Sequence, residues 1–218
     1  MLINNHVLRT PIILILGMTI GFLKCAPVFS DLQGAGLVGK GRYEITPSFS
    51  SVSFSNDDES EHIQNHYGVQ VGYGMSDRAD IRFRLERIQL DTNGGDPADA
   101  TVLGIGPKFG KRHGTVALYL PVGMAFGEDV DEDETIEFHP TVLTTIPISD
   151  VLKINPSIKA LVPLNRDNAD VLVALNLGMA LGDPDKFAVR PEIGFLYNPG
   201  EEGHYTHFSV GLSFRTID

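Results

Sequence analysis

Apolar and polar residues alternate with period two along most of this chain, in segments about ten residues long. From 115 to 126, Val116, Leu118, Leu120, Val122, Met124 and Phe126 share one face, while Thr115, Ala117, Tyr119, Pro121, Gly123 and Ala125 share the other. From 66 to 75, Tyr67, Val69, Val71, Tyr73 and Met75 oppose His66, Gly68, Gln70, Gly72 and Gly74. Ile81, Phe83 and Leu85 oppose Arg82, Arg84 and Glu86, and Val171, Val173, Leu175, Leu177, Met179 and Leu181 form a further stripe. Successive side chains of a strand point to opposite faces, so this pattern predicts strands. Ten are predicted, over 36–49, 65–76, 79–90, 101–110, 115–127, 136–148, 153–164, 170–182, 187–198 and 205–216. Helical periodicity is missing, and no stretch after the first thirty residues reaches the ~20 apolar residues of a transmembrane helix.

The connections fall into two classes. Short turns, SDRA, KRHG, SDVL and DPDK, follow strands 2, 4, 6 and 8. Longer or more acidic loops, SVSFSNDDESEHIQ, DTNGGDPADA, EDVDEDETI, NRDNA and PGEEGH, follow the odd-numbered strands. An even number of ten-residue strands, with short turns at one end and long loops at the other, describes an antiparallel up-and-down transmembrane β-barrel. Both chain ends are then expected on the short-turn, periplasmic side. A soluble sandwich or lipocalin-like barrel also alternates, but its interior would not tolerate the unpaired charges of these polar faces. Aromatic girdles would come from Tyr43, Phe49, Tyr67, Phe126, Phe138, Phe187, Tyr197 and Phe208, since the chain has no tryptophan. Pro107, Pro121, Pro156 and Pro163 each remove a ladder donor and are expected at bulges or strand ends.

Composition adds a compartment. Arg9 precedes the apolar run PIILILGMTIGFL, and KCAPVFS follows it, which reads as a secretory signal over residues 1–30 with the barrel over 31–218. The alternative is a lipoprotein signal ending before Cys25, against which Lys24 is a poor fit. Loss of residues 1–30 removes two bases and no acid, moving the formal charge from −11 to −13. Such a surface repels nucleic acid.

The stretch GVQVGYGMSDRADIRFRLERI (68–88) resembles the strand–turn–strand of small Gram-negative outer-membrane β-barrel proteins. HFSVGLSF (207–214) is similar to their carboxy-terminal assembly signal, with Gly211 and Phe214 in its pattern, although RTID follows it here. LQGAGLVGKGRYEITPSFS (32–50) looks like the entry segment of barrel-forming proteins of Bacteroidota. The resemblance implies outer-membrane residence, contact with outer-membrane lipid and lipopolysaccharide, and recognition by the barrel assembly machinery. It implies no cofactor.

With the apolar face toward lipid, the expected lumen carries Lys40, Arg42, Arg82, Arg84, Lys108, Lys159, Arg190 and Arg215 against Glu44, Glu86 and Glu192. Ten strands leave an interior little wider than its own side chains fill. The expectation is a basic, side-chain-filled lumen with a structural or interaction role, the alternative a narrow anion-preferring pore. His207 and Ser209 share a face and His139 falls inside, but no nucleophile motif accompanies them, and an enzyme is not expected. The loop EDVDEDETIE sets Asp129, Asp131, Asp133 and Glu134 at a strand junction. Counted as a calcium loop from Asp129, it lacks both the glycine at the sixth position and the glutamate at the twelfth, so no metal site is assigned.

Overall fold

The computed structural model describes residues 28–56, 59–91, 99–127, 130, 136–165, 170–200 and 202–216. Thirteen strands form one antiparallel sheet: β1 (Tyr43–Ser55), β2 (Ser60–Gly74), β3 (Ala79–Leu90), β4 (Asp99–Phe109), β5 (Val116–Tyr119), β6 (Val122–Phe126), β7 (Ile136–Phe138), β8 (Thr141–Thr144), β9 (Ile146–Pro147), β10 (Leu152–Pro163), β11 (Leu172–Asp183), β12 (Phe187–Tyr197) and β13 (His204–Arg215). β5 and β6 are halves of one stave, and β7, β8 and β9 are parts of the next, which leaves ten staves. β13 pairs with β1 from Glu44↔Arg215 to Ser55↔His204, so the sheet closes and has no free edge.

The prolines explain the interruptions. Pro121 separates β5 from β6, where Leu120 N–H donates to the Pro107 carbonyl at 3.0 Å and His139 N–H to the Pro121 carbonyl at 2.9 Å. Pro107 and Pro156 do not end strands as expected. Each lies inside one, at or beside a gap in the neighbouring stave: Pro107 in β4 faces the break between β5 and β6, and Pro156 in β10 lies opposite Thr144, the last residue of β8 before the break that leads to β9. A residue without an N–H is best tolerated where its neighbour has left the ladder.

The outer face is apolar. Phe83, Leu85, Leu103, Ile105, Met124, Ile158, Leu177, Ile193, Phe208 and Leu212 are all well exposed, Phe208 by 60%. A soluble monomer rarely shows a contiguous apolar patch above a few hundred Å², whereas a bilayer-spanning barrel needs one all round. Aromatic pairs lie on this face near the turn end, Tyr43 with Tyr73 at 4.8 Å and Phe187 with Phe214 at 5.1 Å, whereas at the loop end Phe54 meets Tyr205 at 5.1 Å and Tyr205 packs on the interior apolar cluster around Phe29. Phe214 thus faces outward, while Gly211 faces the lumen, where an added Cβ would meet Thr46 at 2.9 Å.

The two largest departures from the alternation lie at the start of the barrel. β1 spans 43–55 rather than 36–49, and β2 begins at Ser60, so the expected fourteen-residue first loop shrinks to 56–59. Ser51, Ser53 and Ser55 on β1 and Ser60 and Glu61 on β2 sit on strands that continue past the apolar band, where an outward polar residue costs nothing. Residues 28–38 are not strand. They run inside the barrel, from the loop end at Val28 and Phe29 to the turn end at Leu37 and Val38, and only then reverse into β1. The first described residue therefore stands at the loop end, not the turn end. Gly39 (φ +96°) and Gly41 (φ +77°) make the reversal, and it crosses Gly74 so closely that any Cβ there would collide with the Gly39 backbone.

Candidate functional site in the lumen

An isolated stretch of backbone inside a barrel has no ladder to join, so each N–H and C=O needs a partner from the wall. The wall supplies them from its charged and polar side chains. Glu192 accepts from the N–H of Asp31 at 2.6 Å and of Leu32 at 2.8 Å, and Asp80 accepts from Val38 N–H at 2.8 Å. Thr145 accepts from Ala35 N–H at 2.8 Å. Lys159 donates to the carbonyls of Phe29 and Ser30 at 3.2 and 3.0 Å, and Arg84 to the carbonyl of Ser30 at 2.6 Å. Lys108 reaches the carbonyls of Gly34 and Gly36 at 2.6 and 3.0 Å. Leu32 is the one described non-glycine residue at positive φ (52°), and the Glu192 carboxylate that spans its N–H and the preceding one holds it there.

Side-chain pairs complete the cradle. Asp31 meets Lys159 at 2.8 Å and accepts from Ser157 and Asn176. Glu44 takes Arg82 at 2.9 Å on one oxygen and Arg215 at 2.6 Å on the other, with Arg190 at 3.8 Å. Glu86 pairs with Arg84 at 2.6 Å and lies 3.5 Å from His66. Asp31, Lys159, Glu44, Arg82 and Glu86 are buried, so removing one of them strands its partner at a cost of several kcal/mol.

Of the residues assigned to the lumen from the alternation, Glu44, Arg82, Arg84, Glu86, Lys108, Lys159, Arg190, Glu192 and Arg215 line it. Lys40 does not, and Arg42 is half-buried rather than exposed. They belong to the reversal that precedes β1, and Lys40 is exposed. The alternation also missed Asp31 and Asp80, both buried inside. Asp80 shares the inward frame of Arg82 and Arg84, so the signal was present. Asp31 carried none, because it lies at the expected cleavage point. With those changes the middle of the lumen holds, among the described residues, six bases against five acids, close to balance rather than basic.

Toward the loop end the filling is apolar. Phe29 packs with Val52, Leu161, Ala174 and Leu196, and Val28 with Ile88, Ala100, Val102 and Ala125. His207 Nε2 donates to Asn176 Oδ1 at 3.1 Å, its Nδ1 lies 2.6 Å from Ser209 Oγ, and the Phe29 ring stands edge-on to it at 4.7 Å. Both His207 and Ser209 are buried. His139 pairs with Glu137 at 2.7 Å. Among the described residues no three metal-ligating side chains gather, and Asp129, Asp131, Asp133 and Glu134 lie outside those residues.

No family model and no curated protein sequence matches the chain. Solved structures of similar architecture do. The translocator domain of the autotransporter NalP from Neisseria meningitidis is 10% identical with a TM-score of 0.43, over 82% of this chain and 89% of that one. An outer-membrane channel from Pseudomonas putida F1 is 10% identical with a TM-score of 0.42, over 90% and 98%. The attachment invasion locus protein Ail of Yersinia pestis is 8% identical with a TM-score of 0.38, over 81% and 99%. Matches this distant carry no argument about activity, which rests on the molecule's own surface and lumen.

Proposed function

We infer that this protein is a small barrel of a Gram-negative outer membrane with a structural or partner-binding role, its lumen closed by its own residues 28–38. The observation that supports a closed lumen is the use made of the inward charges: they bind the segment's backbone and one another. Loops at one rim and short turns at the other orient the loop end outward, as in other barrels of that membrane. Lipid and lipopolysaccharide are then the neighbours of the apolar band, and Gly211 and Phe214 present the carboxy-terminal strand to the assembly machinery. The His207–Ser209 pair is a filler of the lumen, not a nucleophile with its base.

The second reading is a narrow pore that passes small anions once the segment withdraws. Withdrawal would take Asp31 away with the segment and leave Arg82, Arg84, Lys108, Lys159, Arg190 and Arg215 against Glu44, Asp80, Glu86 and Glu192, a surplus that favours it. Planar-bilayer recording separates the two. The closed reading expects baseline current from the full chain and steps from a chain lacking 28–38. Steps from the full chain at rest would overturn it.

A further inference from the structure

The lumen is not evenly filled. At the turn end a cavity of about 240 Å³ remains between the inner segment and the wall, bounded by Gly34 and Gly36, the β4–β5 turn, β9, β10, and the β11–β12 turn. Its charged lining is Arg112, His113, Lys153, Arg190 and Arg215 against one carboxylate, Asp185. Asp185 is already bound to Arg215 at 2.8 Å, and Arg215 and Arg190 also share Glu44 behind them. Among the described residues, neither Arg112 nor Lys153 has a carboxylate partner, and the Nε atoms of Arg112 and Arg190 are buried without an acceptor. Hydroxyls of Thr115 and Thr145 and the amide of Asn155 line the same space.

We propose that this cavity binds a small, soluble, multivalent oxyanion of the phosphate class, admitted from the turn end while the inner segment stays in place. Three guanidinium groups and an ammonium converge on a space that holds a diphosphate-sized solute, and guanidinium forks match the paired oxygens of such groups. The walls are of low dielectric, so the surplus positive charge focuses attraction at the mouth rather than dispersing it into solvent. Glycine at 34 and 36 lets the inner segment pass close against the wall beside this space: a Cβ at Gly34 would meet Asn155 Oδ1 at 2.5 Å, and one at Gly36 the Arg112 carbonyl at 2.8 Å. A membrane lipid headgroup is not the occupant, because the cavity opens inside the staves and not on the apolar outer face. The site needs no conduction, so its failure leaves the closed-barrel reading standing, although it rests on that reading for the position of Gly34 and Gly36.

The test is calorimetric titration of the full chain in zwitterionic detergent with pyrophosphate, alongside inorganic phosphate and a neutral disaccharide. Pyrophosphate is expected to bind most tightly, phosphate more weakly and the disaccharide not at all, with affinity falling as sodium chloride rises. Arg112→Gln and Lys153→Gln are each expected to weaken pyrophosphate roughly tenfold, since each removes one charge-assisted contact. Neither touches an ion pair, and the heat-modifiable gel shift should stay as in the parent. Absence of pyrophosphate binding, binding indifferent to salt, or equal binding by the folded double variant would each overturn the site. Should the variants fail to fold, the salt series and competition by phosphate on the unaltered chain still decide.

Discussion

Val28 and Phe29 at the loop end of the lumen are surrounded by aliphatic side chains, while Gly34 and Gly36 at the turn end are held through their carbonyls by a single lysine, Lys108. One inner segment is thus gripped in two ways. Apolar packing excludes water and makes a seal; carbonyl-to-ammonium contacts hold backbone in place but leave space beside it, and that is where the cavity lies. Between the two, Asp31 and Lys159 mark the change from one regime to the other. The difference teaches that closure and retention are separate tasks here, performed by different residues, and that each can be damaged without the other.

The strongest blow falls on the shared polar middle. Glu44 is the carboxylate on which Arg82, Arg215 and Arg190 converge, so Glu44→Gln leaves buried guanidinium groups facing one another. A loss of about 3–5 kcal/mol is expected for such a broken pair. Urea unfolding in detergent, followed by the heat-modifiable gel shift, measures it. A change under about 1 kcal/mol would mean the cluster is far better solvated than its burial indicates.

Phe29→Ala tests the apolar seal and comes next, with about 3–4 kcal/mol expected for an emptied aromatic site. Its signature is more specific than its size: the loop end should leak, giving bilayer current that Glu44→Gln does not give at matched stability. Processing bears on the same residue. Cleavage before Asp31 would discard Val28, Phe29 and Ser30 together, whereas a mature chain that begins upstream of Val28 keeps the seal. The intact mass of the purified protein distinguishes these, and the upstream start is expected.

Gly74→Ala probes the reversal at the turn end. A Cβ at 74 runs into the Gly39 backbone, so the 39–42 loop must move. A cost of about 1–3 kcal/mol is expected, the range of overpacked sites. If the two grips are independent, the Phe29 seal should survive it, and the bilayer current should remain at baseline.

Much of the architecture was legible because one face of every stave meets lipid. Leu103 and Ile105, or Leu175 and Leu177, have to be apolar at every second position, and nothing else on that face competes with the pattern. The same frame places Arg82, Arg84, Lys159 and Glu192 on the opposite face. It fails where the barrel ceases to be two-faced. Ser51, Ser53 and Ser55 stand above the apolar band, so β1 and β2 run on through a stretch whose composition reads as loop. Residues 32–38 fail for the opposite reason: Leu32, Leu37 and Val38 are apolar and glycine-spaced like a strand, but both their sides face protein. Periodicity reports a difference between two environments, and a segment with one environment has none to report. The cavity at the turn end was beyond reach for that reason, since it exists only where this segment passes the wall.

Lys40 and Lys108 turn that lesson into the smallest effect. The alternation assigned both lysines to the lumen. Lys108 is 0% exposed and anchors two carbonyls, whereas Lys40 sits exposed in the reversal with Gly39 and Gly41 on either side. Lys40→Ala should therefore change stability by no more than about 0.5 kcal/mol, as at other surface sites. Lys108→Met, which keeps the length of the stem and removes the charge, orphans the Gly34 and Gly36 carbonyls and should cost at least ~2 kcal/mol. Paired urea curves decide it. Equal losses from the two would return Lys40 to the lumen and start β1 near residue 36, and with it the inner segment, its seal and the cavity beside it would all have to be redrawn.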